Sequence, residues 1–203
     1  MLEELAIKYN VDKVKQFGHD YIPGYTDLFS MIKNNISNLL EIGIGCGDHE
    51  TFMKNKNINF TAGNSLKMWQ EYFTNANIYG IDILSCDLSD QPRIKTFVAD
   101  QSSETDLMKV VEYIGKPLDI IIDDGSHQLK HQVYTFLILS KFLSKGGIYI
   151  IEDVLHAEDF KSLNVFDTAT KIYIKANFEI KWYDTRNPEY RFDDSFLMVF
   201  IKK

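Results

Sequence analysis

Two acidic pairs, each directly after an apolar run, are the residues best placed to do chemistry in this sequence. Asp123 and Asp124 follow the first run, and His127 comes three residues later in a glycine-containing turn. Glu152 and Asp153 follow the second run. Carboxylates bind hard cations such as Mg²⁺, and a histidine with an ordinary pKa of roughly 6.5 is mostly neutral at pH 7 and can accept a proton. The alternative is that the carboxylates are solvated strand ends and that the histidine bonds the turn.

Such residues need strands that end at one edge of a sheet. Residues 118–122 and 147–151 are apolar enough to be strands buried on both faces, as in parallel sheets, where ligands gather at the carboxyl ends. Strands alternating with helices imply right-handed crossovers and a doubly wound sheet. The pattern predicts further strands at 38–44, 78–83 and 93–99 and helices at 65–75, 105–114 and 128–143.

The two ends of the chain add to this core. Residues 178–183 and 195–201 read as strands separated by a polar turn region, which predicts an antiparallel pair at one sheet edge. Two helices, expected at 1–15 and 24–35, form a short N-terminal cap. The expected fold is α/β, a doubly wound, mostly parallel seven-stranded sheet of the Rossmann-like kind. We expect a single domain, with the cap in residues 1–36 and the core in residues 37–203.

Composition excludes several classes of function. The 203 residues suit one domain, and a net charge of −7 without a run of Lys and Arg argues against a nucleic-acid partner. No segment approaches the roughly 18 apolar residues of a membrane span. The first ten residues lack the basic start and apolar stretch of a signal peptide. Cys46 and Cys86 belong to no Cys-x-x-Cys motif, which favours reduced cysteines and a cytoplasmic location.

Three glycines, Gly43, Gly45 and Gly47, alternate directly after the first predicted strand. Glycine there lets the backbone approach a ligand, although tight turns also use glycine for structural reasons. Asp82 ends the next predicted strand, where a carboxylate commonly accepts hydrogen bonds from ribose hydroxyls; a solvated turn residue is the alternative. Asp82 follows Gly47 by 35 residues (82 − 47), longer than the approximately 20 of a nicotinamide site, which argues against a dehydrogenase.

Glu41 at the start of the glycine loop, together with Asp82, resembles the class I S-adenosylmethionine-dependent methyltransferases. The resemblance narrows to the macrocin and mycinamicin type of sugar O-methyltransferase on five segments: Asp12-Lys13, His19-Asp20-Tyr21, SLKMW from Ser65, IIDDGSH from Ile121 and IIED from Ile150. It implies Mg²⁺-dependent transfer of a methyl group from S-adenosylmethionine to a sugar hydroxyl. The expected acceptor is a glycoside or a sugar nucleotide.

The resemblance also implies a role for each candidate site residue. The family's catalytic base matches His127. Its metal ligands match Asp124, Glu152 and Asp153. Asp100 and Gln101 end the third predicted strand, where a polar pair can read an adenine edge or form a turn. The implied cofactor contacts are Glu41, Gly43, Gly45, Ser65, Asp82, Asp100, Gln101 and Asp123.

Other conspicuous residues are expected to be structural. His131 lies one helical turn after His127 and is expected to support it. Trp69 has the spacing of a helix-packing residue. A salt-bridged turn between the last two strands is predicted for Asp184, Arg186, Asp193 and Asp194.

Three rival functions stay open at this point. A catechol-type O-methyltransferase would use the same cofactor and metal on a different small acceptor. A nicotinamide-dependent oxidoreductase would share the doubly wound sheet, but the loop spacing and the absence of a Tyr-x-x-x-Lys pair disfavour it. A non-catalytic domain would bind the cofactor without turning over an acceptor. Homo-oligomerisation is possible in each case, and no motif for base methylation appears.

Overall fold

The computed structural model describes residues 1–17, 19–47, 60–88, 90–186 and 194–203, so Asp193 lies outside its described part. The α-helices of that part are α1 (Leu2–Lys8), α2 (Ile22–Phe29), α3 (Asn64–Tyr72), α4 (Glu104–Ile114), α5 (Leu129–Leu139), α6 (Ala157–Lys161) and α7 (Thr168–Asn177). The strands are β1 (Asn38–Ile42), β2 (Asn77–Asp82), β3 (Ile94–Val98), β4 (Leu118–Asp123), β5 (Leu143–Ile151), β6 (Phe178–Asp184) and β7 (Phe196–Lys202).

The strands form one seven-stranded sheet in the order β3-β2-β1-β4-β5-β7-β6. Strands β1 to β5 run parallel to one another, and β7 is antiparallel to both β5 and β6. The order reverses direction between β1 and β4, which is where ligands bind in sheets of this kind. The predicted fold class is therefore confirmed, including the antiparallel C-terminal pair.

Alternate residues of the central strands supply two hydrophobic cores, one on each face of the sheet. In β4, Ile120 and Ile122 pack on the face covered by α1, α2 and α3, whereas Ile121 packs on the face covered by α4 and α5. All three side chains are fully buried, and burying an isoleucine stabilises the fold by roughly 1.5–3 kcal/mol. Burial on both faces explains why the strand reads as a continuous apolar run.

The N-terminal segment differs from its prediction in a way that matters for the site. Helix α1 ends at Lys8 rather than at residue 15, because Asn10 adopts a positive φ of 52° that an α-helix cannot accommodate. The turns that follow carry Lys13 into the interior, where it is 1% exposed. Helix α2 then begins at Ile22, with Pro23 in its first turn, where the missing N–H costs no hydrogen bond.

Two boundaries further along the chain also differ from prediction. The helix predicted over residues 128–143 ends at Leu139 and continues as the 3-10 helix Ser140–Phe142, so that β5 begins at residue 143. Helix α6 was not predicted, because its five residues are too few to show a helical apolar pattern.

Among the helices that the structure describes, none combines the length and hydrophobicity needed to cross a membrane.

The expectation that the two cysteines are reduced is wrong for this structure. Cys46 follows β1 and Cys86 follows β2, and the structure joins them in a disulfide with their Cα atoms 6.0 Å apart. That separation is typical of disulfides. The pair was missed because β1 and β2 are neighbours only in the folded sheet, and the two cysteines lie 40 residues apart in the sequence.

Gly43 is the glycine that the geometry of the sheet edge requires. Its φ is +79°, and a Cβ at this position would overlap the carbonyl oxygen of Asp124. The Asp124 N–H also donates to the Ile42 carbonyl at 2.9 Å, so the two chain segments are held in contact. Only a residue without a side chain lets the loop after β1 lie this close to the turn after β4.

We predict that Gly43→Ala destabilises the protein far more than Gly146→Ala. Both glycines have positive φ, 79° and 77°, so both substitutions carry the left-handed backbone strain of about 1–2 kcal/mol. A Cβ at Gly146 would meet nothing within 4 Å, whereas one at Gly43 adds an overlap that costs roughly another 1–3 kcal/mol. Urea denaturation measures the difference, and equal losses of stability would contradict the close-approach role of Gly43.

Candidate active site

The register of three adjacent strands places three functional segments side by side. Asp123 of β4 pairs with Ile42 of β1 and with Ile151 of β5. The Glu152 N–H extends this ladder by donating to the Asp123 carbonyl at 2.9 Å. The glycine loop, the turn that contains Asp124 and the acidic pair after β5 therefore leave the sheet at the same edge.

A cavity of about 690 Å³ opens at this edge and collects most of the candidate residues. The candidates that line it are Gly43, Gly45, Ser65, Asp82, Asp100, Gln101, Asp124, His127 and Asp153. Glu41, Asp123 and Glu152 are almost completely buried and do not line the cavity, whereas the equally buried Lys13 does. The structure thus brings the residues of the glycine loop and those of the acidic turns to a common space.

Asp82 organises the glycine loop. Its Oδ2 accepts hydrogen bonds from the backbone N–H groups of Ile44 at 3.0 Å and Cys46 at 3.2 Å. Its Oδ1 accepts another from the Leu84 N–H at 3.2 Å. The carboxylate therefore fixes the shape of the loop from the end of β2, and its predicted contact with a ribose stays a prediction.

Gln101 and Asp123 support the turn after β4 through buried hydrogen bonds. Gln101 Oε1 accepts from the Ser126 N–H at 2.5 Å, while its Nε2 donates to Asp123 Oδ1 at 3.2 Å. The Tyr149 hydroxyl donates to Asp123 Oδ2 at 3.3 Å. Burial raises the pKa of Asp123 to about 7, although these donors lower it. Both polar ends of Gln101 are already hydrogen-bonded, and its predicted role at the adenine edge, like that of Asp100, stays a prediction.

A buried lysine lies at the centre of the acidic residues. Lys13 Nζ is 2.5 Å from Asp124 Oδ2, 2.8 Å from Glu152 Oε1 and 3.3 Å from Glu41 Oε1. The Tyr25 hydroxyl donates to the same Glu152 oxygen. Burial lowers the pKa of Lys13, but the three carboxylates raise it well above its ordinary value, so the side chain is an ammonium ion.

Asp153 has a separate set of partners. The Tyr21 hydroxyl donates to Asp153 Oδ1 at 2.5 Å, and His19 Nδ1 lies 3.6 Å from the same oxygen. The His19 ring stacks on the Tyr21 ring with centroids 5.0 Å apart, and Ser195 Oγ lies 2.7 Å from His19 Nδ1. The N-terminal segment thus contacts both acidic residues after β5.

His127 bridges the two aspartates that face the cavity. Its Nε2 lies 3.3 Å from Asp124 Oδ1, and its Nδ1 lies 3.4 Å from Asp153 Oδ2. Burial lowers the pKa of His127, but Asp124, through its hydrogen bond and its charge, and Asp153 raise it to about 10. The two carboxylates therefore favour the imidazolium form of His127 over the neutral imidazole that the sequence led us to expect.

His127 and Asp153 also share an unusual backbone conformation. Their φ angles are 55° and 54°, in the left-handed region that residues other than glycine seldom adopt. Such strain persists only where surrounding contacts impose it, and it concentrates at functional sites. Both residues face the cavity, which supports its identification as the active site.

The pKa values of the buried carboxylates move in opposite directions. Burial raises the pKa of Glu41 to about 7, despite the charge of Lys13. Burial and the charge of Asp124 raise the pKa of Glu152. Burial acts in the same direction on Asp124, but Lys13 and His127 outweigh it and lower the pKa of that carboxyl. Asp124 is thus the firmly ionised member of the group.

Carboxylate oxygens of the acidic residues fit a hard divalent cation. In the described part of the chain, two sets of potential ligand atoms share Asp124: one with His127 and Asp153, the other with Glu41 and Glu152. Both carboxylate oxygens of Glu41 are buried without a hydrogen-bond partner. The donor set is one that Mg²⁺ prefers. The sequence-based assignment of Asp124, Glu152 and Asp153 as metal ligands stays a prediction.

Sequence reasoning gave no role to Lys13 or Tyr25, and it left Tyr21 between a contact with substrate or cofactor and a packing role. Lys13, Tyr21 and Tyr25 all lie in the N-terminal segment, far along the chain from the acidic residues they contact. The only signal was that the Asp-Lys and His-Asp-Tyr segments formed part of the family resemblance.

Two residues that were expected to be structural have structural contacts. Trp69 is fully buried against aromatic rings, and His131 Nδ1 lies 2.7 Å from Ser126 Oγ in the turn.

The end of β6 matches part of its prediction. Arg186 Nη2 lies 2.5 Å from Asp184 Oδ2, which is the expected ion pair between two residues of the predicted turn. Asp194 instead lines the cavity. One potential ligand atom each of Asp194, His19 and Asp153 lie within 4.8 Å of one another.

Relatives in sequence are sugar O-methyltransferases, while no family model matches the chain. The chain is 36% identical over 154 residues to the 8-demethyl-8-alpha-L-rhamnosyl tetracenomycin-C 2'-O-methyltransferase of Streptomyces olivaceus. It is 35% identical over 153 residues to the mycinamicin VI 2''-O-methyltransferase of Micromonospora griseorubida. Each match covers 75% of this chain but only 37% and 36% of the relative, so the chain spans little more than a third of these proteins' length.

Among solved structures, the fold is similar to that of MycE, a methyltransferase from the mycinamycin biosynthetic pathway. A complex of MycE with Mg and SAH superposes with a TM-score of 0.73 at 27% identity. A complex with Mg, SAH and mycinamycin VI gives a TM-score of 0.73 at 26% identity. Both matches cover 99% of this chain and 54% of MycE.

We predict that His127 titrates near pH 10 in buffer without divalent cations. Its pKa of about 10 in the fold exceeds its ordinary value of 6.5, so the ion pairs of His127 stabilise the protein fully below pH 6.5 and are lost as the pH rises through about 10. The stability difference between the wild type and His127→Gln should therefore shrink over this range. NMR of the imidazole and urea denaturation measure the two quantities.

The exposed His156, which lies outside the cavity, provides the control variant His156→Gln. A His127 resonance that titrates near 6.5, or a stability difference that grows with pH, would contradict the bridging arrangement.

Proposed function

Because this chain is a homologue of the mycinamicin and macrocin type of sugar O-methyltransferases and has their methyltransferase fold, we propose that it transfers a methyl group from S-adenosylmethionine to a sugar hydroxyl. The chain spans only part of these relatives, and the proposed activity applies to the chain itself. Mg²⁺ is the proposed metal, and the proposed acceptor is a glycoside or a sugar nucleotide.

One observation carries the proposal: a single cavity is lined both by the glycine loop and by the acidic turn with its histidine. Methyl transfer is an in-line displacement, so the donor and the acceptor hydroxyl must be held next to each other in a fixed orientation. A cofactor site alone would explain the loop, and a metal site alone would explain the carboxylates. Their convergence in one space supports a reaction between the groups that they bind.

The cofactor is proposed to lie along the glycine loop. Gly43 and Gly45 would leave room for its methionine part, and Asp82 would accept hydrogen bonds from its ribose. Asp100, with Gln101, is placed for the adenine region. Ser65 lines the same cavity, whereas Glu41 and Asp123 act from beneath its surface. When bound, S-adenosylmethionine supplies an activated methyl group, and Mg²⁺ supplies positive charge that orients the acceptor and favours its ionised oxygen.

The metal is proposed to be held by Asp124, Glu152 and Asp153. Asp124 and Asp153 face the cavity, and Glu152 lies directly beneath it. The close approach that Gly43 permits fixes Asp124 against the cofactor loop. Asp124 therefore connects the two halves of the proposed site.

His127 is proposed to accept the proton of the acceptor hydroxyl. A base in this position needs a free imidazole nitrogen, and Asp124 and Asp153 hold the proton on His127. A cation that takes up the charge of these two carboxylates lowers their hold on the imidazole proton. His127 would then act as a base near neutral pH, which typically accelerates such reactions by about 10²- to 10⁴-fold.

We predict that the chain methylates one or more members of a panel of glycosides and sugar nucleotides. The chain is incubated with S-adenosylmethionine and Mg²⁺, and mass spectrometry detects an acceptor that has gained the mass of one CH₂ group. A parallel panel of catechols tests the rival acceptor class. Methylation of catechols alone, or undiminished turnover in EDTA, would contradict the proposal.

In the same assay, Asp124→Asn should abolish turnover and Mg²⁺ dependence while the affinity for S-adenosylhomocysteine falls little. Loss of one metal ligand typically costs at least about 10²-fold in rate, because the acceptor is no longer oriented. Glu112→Gln, at an exposed position on α4 outside the cavity, is the matched control. An Asp124→Asn protein with wild-type turnover would remove Asp124 from the mechanism.

A further inference from the structure

Two buried charged residues at the site, Lys13 and Glu41, have no task in the proposed metal binding or proton transfer. Lys13 is 1% exposed and Glu41 is 0% exposed. Neither carboxylate oxygen of Glu41 accepts a hydrogen bond of good geometry, and the Lys13 ammonium forms an ion pair with Oε1 at 3.3 Å. A buried carboxylate without a hydrogen bond is costly, so its retention beside an acidic centre needs an explanation.

Lys13 contacts the same residues that are proposed to hold the metal. Its ammonium lies 2.5 Å from Asp124 and 2.8 Å from Glu152, closer than to Glu41. An ammonium and a divalent cation repel each other strongly at such distances in a poorly solvated site. A cation bound by the same two carboxylates therefore competes with the ammonium for them.

We propose that Lys13 is a positioning residue that holds Asp124 and Glu152 together until a divalent cation binds, and that its ammonium then transfers to Glu41. This inference rests on the metal site of the proposed function. Glu41 is suited to receive the ammonium because its side chain is fully buried and its Oε1 already lies in an ion pair with Lys13, at 3.3 Å. After the movement the Lys13 ammonium stays paired with Glu41, while Asp124 and Glu152 pair with the metal.

The exchange gives Lys13 and Glu41 opposite effects on metal affinity. Lys13→Met removes the cation that the metal must displace, so the variant should bind Mn²⁺ at least about tenfold more tightly than the wild type. Glu41→Gln removes the residue that receives the ammonium, so it should bind Mn²⁺ at least about tenfold more weakly. In the Lys13→Met background, Glu41→Gln should change the affinity by less than about threefold, because the two residues act on one exchange.

Electron paramagnetic resonance of free and bound Mn²⁺ measures these affinities without any substrate. Lys8→Met is the matched control: Lys8 belongs to the same N-terminal segment, but it pairs with Glu71 at the surface, and its loss should leave Mn²⁺ binding unchanged. If Lys13→Met does not fold, Glu41→Gln still tests the proposal, because unchanged affinity in that variant overturns it.

Two other results would also overturn the proposal. Weaker or equal Mn²⁺ binding by Lys13→Met means that Lys13 merely supports the fold. An equal loss from Glu41→Gln in both backgrounds means that Glu41 ligates the metal itself. If the wild type binds no Mn²⁺, the metal site of the proposed function fails, which is a distinct outcome from the failure of the exchange.

Discussion

The structure depends on a positive charge that balances the carboxylates buried by three adjacent strands at one edge of the sheet. Glu41 comes from β1, Asp124 follows β4 and Glu152 follows β5, and each reaches the same buried point. Buried carboxylates at such distances cannot all be ionised without a cation. The Lys13 ammonium supplies that charge, which makes the irregular segment after α1 as necessary to the sheet edge as the strands themselves.

The same balance links the fold to the proposed chemistry. Asp124 contacts the Lys13 ammonium with one oxygen and His127 with the other, and the turn that carries it touches the glycine loop at Gly43. A change of charge at Asp124 therefore affects Lys13, His127 and the glycine loop together. Tyr21 and Tyr25 extend this network to the two residues after β5 by direct hydrogen bonds.

Local pattern made much of the sheet predictable from the sequence, because strands buried on both faces read as apolar runs. The acidic turns and the glycine loop could be placed at one edge for the same reason. Lys13 could not, because nothing local ties it to Asp124, which lies 111 residues away. The Cys46–Cys86 pair and the contacts of His127 with Asp124 and Asp153 were likewise missed, since each exists only in the folded chain.

The most direct test of a common donor and metal cavity is a crystal structure with S-adenosylhomocysteine and Mn²⁺, in which anomalous scattering locates the metal. The expected result is a manganese ion bound by Asp124, Glu152 and Asp153, with S-adenosylhomocysteine along the loop of Gly43 and Gly45 in the same cavity. Manganese bound elsewhere, or S-adenosylhomocysteine bound away from this loop, would contradict the account.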